Sequence, residues 1–400
     1  MSWNRRHFLF SAAGLTALAA QGKPRVAAIV TEYRYYSHAD VICGRILEGY
    51  SPNNRRVESR TEIVSMYTDQ IAPKDMSRDL AAKHGFKIYP TIAEALTLGG
   101  KDLAVDAVLL IGEHGEYPRN SRGQKMYPRY ELFEPIVEVF RESGKVVPLF
   151  NDKHLSYSWE KAKKMYDTAQ AMKIPFMAGS SIPVTVRVPE LEIPFGSKVE
   201  HAVAVGYGDM DAYGFHTLET LQCMVERREG AETGVASVEW LENEAVWKWR
   251  DGDGKWSVPL LNAALATSPK TKPGRMEDNT KNPVLFLVNY HDGLQSAVYM
   301  LNGHSSGFLF SAKLAGRPEP VATHMGFTSG GRALPHFDGL VKCIEDLFVT
   351  GKPVYPVERT LLTTGVLAFA FDSREQKKRV DTPELSIRYR APKDVFLQRS

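Results

Sequence analysis

The chain has 400 residues, 43% apolar and 24% charged, with a formal charge of +3. That is ordinary globular composition, the length favours two domains, and nothing in it suggests a long disordered region. So balanced a charge carries no footprint for nucleic acid or an anionic membrane. Three widely spaced cysteines, Cys43, Cys223 and Cys343, form no CxxC pair and no zinc-type spacing, and read as buried small hydrophobes.

Residues 1–20 read as a leader: a charged start, an apolar stretch from Phe8, and Ala17-Leu18-Ala19 as an A-x-A cleavage pattern. The apolar stretch is too short to span a bilayer comfortably. Arg5-Arg6-His7-Phe8-Leu9 resembles a twin-arginine signal, with an ordinary secretory signal as the alternative. The expectation is an exported, periplasmic protein with no stable membrane anchor.

Arg25 to Val30 is a short β-branched run and predicts a buried strand. His38 to Tyr50 follows with Val41, Ile42, Ile46 and Leu47 on one helical face. Glu62 to Tyr67 predicts a second strand, ending at Asp69. Ser77 to His84 predicts a helix stopped by Gly85, and Thr91 caps a short helix to Leu98. Val105 to Ile111 is a third strand, followed by Gly112-Glu113-His114-Gly115. After a helix from Tyr130 to Ser143, Lys145 to Phe150 predicts a strand at an edge or bulge, because Pro148 lies inside it. A helix from Trp159 to Met172 and a strand ending at Gly179 close the series. Strands alternating with helices predict a Rossmann-like, doubly wound parallel sheet over residues 23–182.

Beyond Gly179 the texture changes. Extended stretches at 183–210 precede a helix from Thr217 to Arg228. Strands are expected at Val235–Trp240, Ala245–Arg250, Val284–Asn289, Ala297–Leu301 and Gly307–Lys313, with a surface loop over 264–282. Helices are expected at Phe337–Val349 and Glu358–Ser373. Residues 183–400 thus predict a C-terminal α/β domain with an open, mostly antiparallel sheet.

This order of elements resembles the Gfo/Idh/MocA oxidoreductases, in which a Rossmann domain precedes an α/β domain with an open sheet. The stretches that carry the resemblance are Asp69 at the second strand end, His84-Gly85, Val105 to Val108, Gly144-Lys145, Gly214-Phe215-His216-Thr217-Leu218-Glu219, and the closing Thr350-Gly351-Lys352-Pro353. The resemblance implies an NAD- or NADP-dependent oxidoreductase acting on a sugar or cyclitol. It aligns Lys153 with the family's substrate-contacting lysine, His216 with its acid–base histidine, Asp211 with the acidic partner of that histidine, and Asp69 with its ribose ligand. The family's exposed sheet implies a homo-oligomer.

The first βα turn reads Thr31-Glu32-Tyr33-Arg34-Tyr35-Tyr36-Ser37-His38. It lacks the G-x-G-x-x-G that lets a backbone approach pyrophosphate. Arg34, Ser37 and the amides of the next helix are left as anion-holding groups. The carboxyl edge of the sheet also gathers His38, Glu113, His114, Asn151, Asp152, Lys153 and His154. Two readings follow. Asp69, Arg34, Ser37, His38, Glu113, His114 and Asp152 hold the dinucleotide while Lys153 and His216 handle a hydroxyl proton. Alternatively His38, Glu113, His114, Asp152 and His154 hold a divalent metal for carbohydrate hydrolysis or elimination. A non-catalytic carbohydrate-binding protein is the third possibility. His291, His304, His324 and His336 read as structural.

Overall fold

A computed structural model of the chain describes residues 22–326, 334–393 and 397, and the leader expected over 1–20 lies outside them. The first half alternates β1 (Arg25–Val30), α1 (His38–Glu48), β2 (Glu62–Thr68), α2 (Ser77–His84), β3 (Lys87–Ile88), α3 (Ile92–Thr97), β4 (Ala107–Ile111), α4 (Arg129–Ser143), β5 (Leu149–Asp152), α5 (Trp159–Ala171) and β6 (Phe176–Gly179). The strands pair in parallel in the order β3-β2-β1-β4-β5-β6, a doubly wound sheet. From Val26 onward β1 is fully buried, as is all of β4, because helices cover both sheet faces. Local caps set the helix starts: Ser37 accepts from Asp40 N, Thr91 from Glu94 N, and Ser158 from Lys161 N.

β5 is not an edge strand. It lies between β4 and β6, and Pro148 stands just ahead of it, where its carbonyl accepts from Val108 N at 2.9 Å. A proline ahead of the first strand residue removes no ladder donor, which is why the expected edge or bulge does not form.

The second half contains β7 (Val186–Val188), β8 (Val199–Gly206), α6 (Ala212–Val225), β9 (Val235–Glu242), α7 (Glu244–Asp251), α8 (Ser257–Ala266), α9 (Met276–Asn279), β10 (Val284–Tyr290), β11 (Gln295–Met300), β12 (Leu309–Leu314), β13 (Val321–Gly326), α10 (Phe337–Thr350), α11 (Glu358–Gln376) and β14 (Val380–Asp381). Its sheet runs β14-β9-β10-β11-β8-β12-β13-β7 and is antiparallel except for β8 beside β11. Residues 245–250, expected as a strand, are the helix α7. Val246 is buried and Trp249, three residues on, packs on the same cluster, so the run follows helical rather than alternating spacing. The expected loop over 264–282 begins inside α8 and contains α9. Pro259 does not prevent α8, because first-turn amides have no intrahelical acceptor to lose.

Two helices tie the halves together. Leu340, Val341, Ile344 and Leu347 of α10 pack with Ile42 and Ile46 of α1 against the parallel sheet. Leu361 of α11 joins the core on the opposite face of that sheet, while Leu362, Val366 and Leu367 join the core of the second sheet. No helix of the described residues is long and apolar enough to cross a membrane.

The far face of the second sheet is covered by its own chain. Leu260, Leu261 and Leu265 of α8 pack on Val203, Val205, Leu285 and Tyr299. The homo-oligomer expectation rested on that face being open. With the apolar area already buried by α8, sedimentation velocity is expected to show a monomer, and a stable dimer would refute the argument.

Candidate active site

The carboxyl ends of β1, β4, β5 and β6 meet α6 and the start of α10 around a cavity of about 430 Å³. Lys153, His216, His38, Glu113 and His114 line it, together with Tyr207, Tyr213, Phe308 and Phe337.

Lys153 follows β5 and is held in the left-handed region at φ 72°, with its amide donating to Gly179 O at 3.0 Å. Asn151 Nδ2 ties off the same turn by donating to the carbonyls of Asp152, Lys153 and His154 at 3.2, 3.4 and 3.3 Å. His114, in the loop after β4, is also left-handed at φ 75°. Strained non-glycine residues of this kind persist only where the surroundings over-determine them, and they cluster at functional sites.

Lys153 Nζ lies 2.6 Å from His216 Nε2 and 3.7 Å from Glu113 Oε1. The other Glu113 oxygen accepts from Arg129, whose guanidinium is fully buried and also lies 3.2 Å from His154 Nε2. Burial opposes a charge on Glu113, but Lys153 and then Arg129 override it and hold the carboxyl well below the usual range. Burial, reinforced by the Lys153 charge, pushes His216 well below the usual imidazole range, so its ring is neutral. An ammonium can only donate, so Nε2 of His216 is the acceptor and Nδ1 carries the proton.

His38 forms a second unit. Its Nδ1 stands 2.5 Å from Asp152 Oδ2, and Asp152 is fully buried. His38 N donates to His114 Nδ1 at 3.3 Å. Burial, then the nearby His38, lowers His114 to about 3, so it remains an acceptor at neutral pH.

The sequence-predicted residues divide accordingly. Lys153, His216, His38, Glu113, His114 and Asp152 come together. Asp211 does not join Lys153 and His216: its Oδ1 accepts from Gln124 Nε2 at 3.1 Å and lies 3.9 Å from His154 Nε2. Burial raises its carboxyl to about 6 there. Arg34 is spent on Glu32, with Nε 2.6 Å from Oε1. Asp69 accepts from Tyr67 Oη at 2.9 Å and Tyr117 Oη at 2.6 Å. His336, expected to be structural, lines the cavity beside Phe337. Ser180 and Arg129 had no motif to mark them, and Glu219 stood at the end of the Gly214–Glu219 stretch, three residues after His216, without a role assigned to it.

The divalent-metal alternative is not assembled. Among the described residues no three His, Cys, Asp or Glu side chains are grouped to hold an ion. His38 is turned onto Asp152, while His154 faces Arg129, a cation that repels a metal.

The first βα turn does not fit a dinucleotide pyrophosphate either. Three of its backbone donors are used within the turn: Arg34 N and Asp40 N donate to Ser37 Oγ at 3.2 and 3.3 Å, and Tyr36 N donates to Asp40 Oδ2 at 3.0 Å. The Asp40 carboxylate thus sits in the first turn of α1, where an incoming anion would go. The loop after β4 bridges to the end of β2, through Tyr117 on Asp69 and reciprocal bonds between Gln70 and Glu116 at 3.0 and 2.8 Å. This loop spans the switch point between β1 and β4, where the crevice of such sheets opens.

The chain shares its fold with solved inositol and sugar dehydrogenases. No family model matches the sequence, and no curated protein matches it. Solved structures do. Myo-inositol dehydrogenase from Lactobacillus casei, in complex with NAD(H) and myo-inositol, superposes with a TM-score of 0.56 at 12% identity, covering 93% of this chain and 99% of that one. Scyllo-inositol dehydrogenase from Lactobacillus casei gives 0.54 at 9% identity, over 90% and 98% of the two chains. A putative NADPH-dependent oxidoreductase from Desulfitobacterium hafniense gives 0.54 at 14% identity, over 92% and 100%.

Proposed function

We propose that this chain is an exported enzyme acting at a hydroxyl-bearing carbon of a sugar or cyclitol, with Lys153 and His216 moving the hydroxyl proton. The observation that carries the reading is the 2.6 Å contact between Lys153 Nζ and His216 Nε2 on the wall of the 430 Å³ cavity. The volume suits a single ring-sized ligand. Tyr207, Tyr213, Phe308 and Phe337 offer apolar faces to its C–H surface, while Lys153, His216 and Glu113 meet its hydroxyls. Myo-inositol in the Lactobacillus casei neighbour supports this substrate class. Export is supported by Arg5-Arg6 and the Ala17-Leu18-Ala19 pattern.

The NAD(H) of that neighbour supports nicotinamide as the hydride acceptor of an oxidoreductase reading. NAD or NADP here would have to bind without the phosphate cradle that the first turn lacks. A second reading is favoured by the His38–Asp152 pair at 2.5 Å. The carboxylate fixes the imidazole through Nδ1 and leaves Nε2 for proton exchange. Two separate proton-handling units in one cavity suit a non-redox acid–base reaction on a carbohydrate, an elimination or an epimerisation.

The shared core of both readings is tested by calorimetric titration of the purified protein with myo-inositol and a panel of hexoses. Binding of at least one of them is expected, weakened by about tenfold or more in Lys153→Ala, as follows from losing about 1.5–3 kcal/mol of hydrogen bonding to a charged group. Binding that is absent throughout the panel, or indifferent to Lys153→Ala, would refute it.

A further inference from the structure

The Lys153–His216 pair does not end at the cavity wall. His216 Nδ1 stands 3.0 Å from Ser180 Oγ, and Ser180 Oγ is hydrogen-bonded to Glu219 Oε2. The same carboxylate oxygen accepts from Ser180 N at 3.0 Å. Since His216 must donate through Nδ1, the Ser180 hydroxyl accepts from it and donates onward, so the chain of bonds has one direction. Glu219 is only 1% exposed and follows His216 by three residues on α6, which puts both on one face. It fits there because residue 179 is glycine: a Cβ at that φ of 127° would stand 2.7 Å from Glu219 Oε1.

We infer that Lys153, His216, Ser180 and Glu219 form a proton relay that delivers a proton from the cavity to a buried carboxylate. The substrate end of the relay rests on the proposed function; the buried end does not. The step balances as a proton transfer alone. A substrate O–H bond breaks, its electron pair stays on the substrate oxygen, and one O–H bond forms on Glu219. Lys153, His216 and Ser180 each accept one proton and give one up. Glu219 touches no substrate and acts as a proton store.

The groups facing Glu219 are Ser180 after β6, Arg359 from α11, Lys153 after β5, and Tyr355 ahead of α11. Burial dominates and raises its carboxyl to about 7, against the Ser180 hydrogen bond and the Arg359 charge. A carboxylate in the ordinary range could not give and take a proton near neutrality; this one can.

Infrared difference spectra of the substrate-free protein between pH 6 and pH 8 test the buried end. A carboxylic-acid carbonyl band that disappears as pH rises is expected, and it should be absent in Glu219→Gln. If that variant does not fold, Glu219→Asp shifts the band instead. Ser180→Ala keeps the acid but breaks the relay, so its carboxyl should titrate at a changed midpoint. The kcat of that variant on any polyol substrate should lose its limb near neutrality while KM stays within about twofold. A spectrum with no titrating acid band, or one unchanged in Glu219→Gln, overturns the relay. A titrating band together with no polyol binding would instead reject the proposed function and leave the proton store standing.

Discussion

Lys153→Ala is expected to lower kcat/KM on the carbohydrate substrate by about 10²–10⁴-fold, the usual worth of a positioned proton-transfer group. His216→Ala should cost a similar amount, and the double substitution little more, because residues that act as one unit are not additive. The contact of 2.6 Å between their side chains is what makes them a unit. A second comparison separates the side chain from the backbone. Lys153 adopts φ 72°, a region that costs an L-residue about 1–2 kcal/mol and glycine almost nothing. Lys153→Gly should therefore be more stable than Lys153→Ala by about 1 kcal/mol in denaturant melts, while both lack activity. Equal stability of the two variants would show that the strain is absorbed elsewhere, and full activity in either would remove Lys153 from the mechanism.

Much of the parallel half was legible because its strands are buried on both sides, so β1 and β4 read as unbroken apolar runs. The second half was less so. Residues 245–250, Ala-Val-Trp-Lys-Trp-Arg, are too short a span to separate two periods, and only packing on the α8 side of the sheet decides for a helix. In the site, Lys153 and His216 were singled out by the resemblance, and their meeting across 63 positions of sequence is a consequence of the fold. Asp211 was assigned to the pair by the resemblance, although it stands five residues before His216. Five residues at about 100° each carry it some 140° around the helix from His216, toward Gln124, whereas the three-residue step brings Glu219 back to within about 60°. Ser180 had no local signal at all, since it meets His216 only because β6 ends against α6. The nucleotide edge shows the same limit from the other side. The missing glycines were visible, but the use of Ser37, Asp40 and the 113–128 loop to close the edge depends on side-chain geometry that no spacing reveals.

Purified protein is expected to release no NAD or NADP on denaturation, and titration with either nucleotide should give a Kd of about 1 mM or weaker, a binding free energy of no more than about 4 kcal/mol. The reasoning is local. Binding pyrophosphate at α1 would require Ser37 Oγ to give up Arg34 N and Asp40 N, and Asp40 to leave Tyr36 N. It would also bring two phosphates against the Glu32 and Asp40 carboxylates, both buried, where like-charge repulsion is poorly screened. An adenosine would in addition need to displace Tyr117 from Asp69 and part the Gln70–Glu116 bonds. Lost hydrogen bonds of this number, at about 1 kcal/mol each, consume most of what a dinucleotide gains on an open cradle. Stoichiometric nicotinamide in the purified protein, or a Kd in the micromolar range, would show that the turn opens and would restore the dehydrogenase reading in full. Its absence, with polyol binding intact, would assign the cavity to acid–base chemistry through His38–Asp152 and Lys153–His216, on a fold shared with solved dehydrogenases.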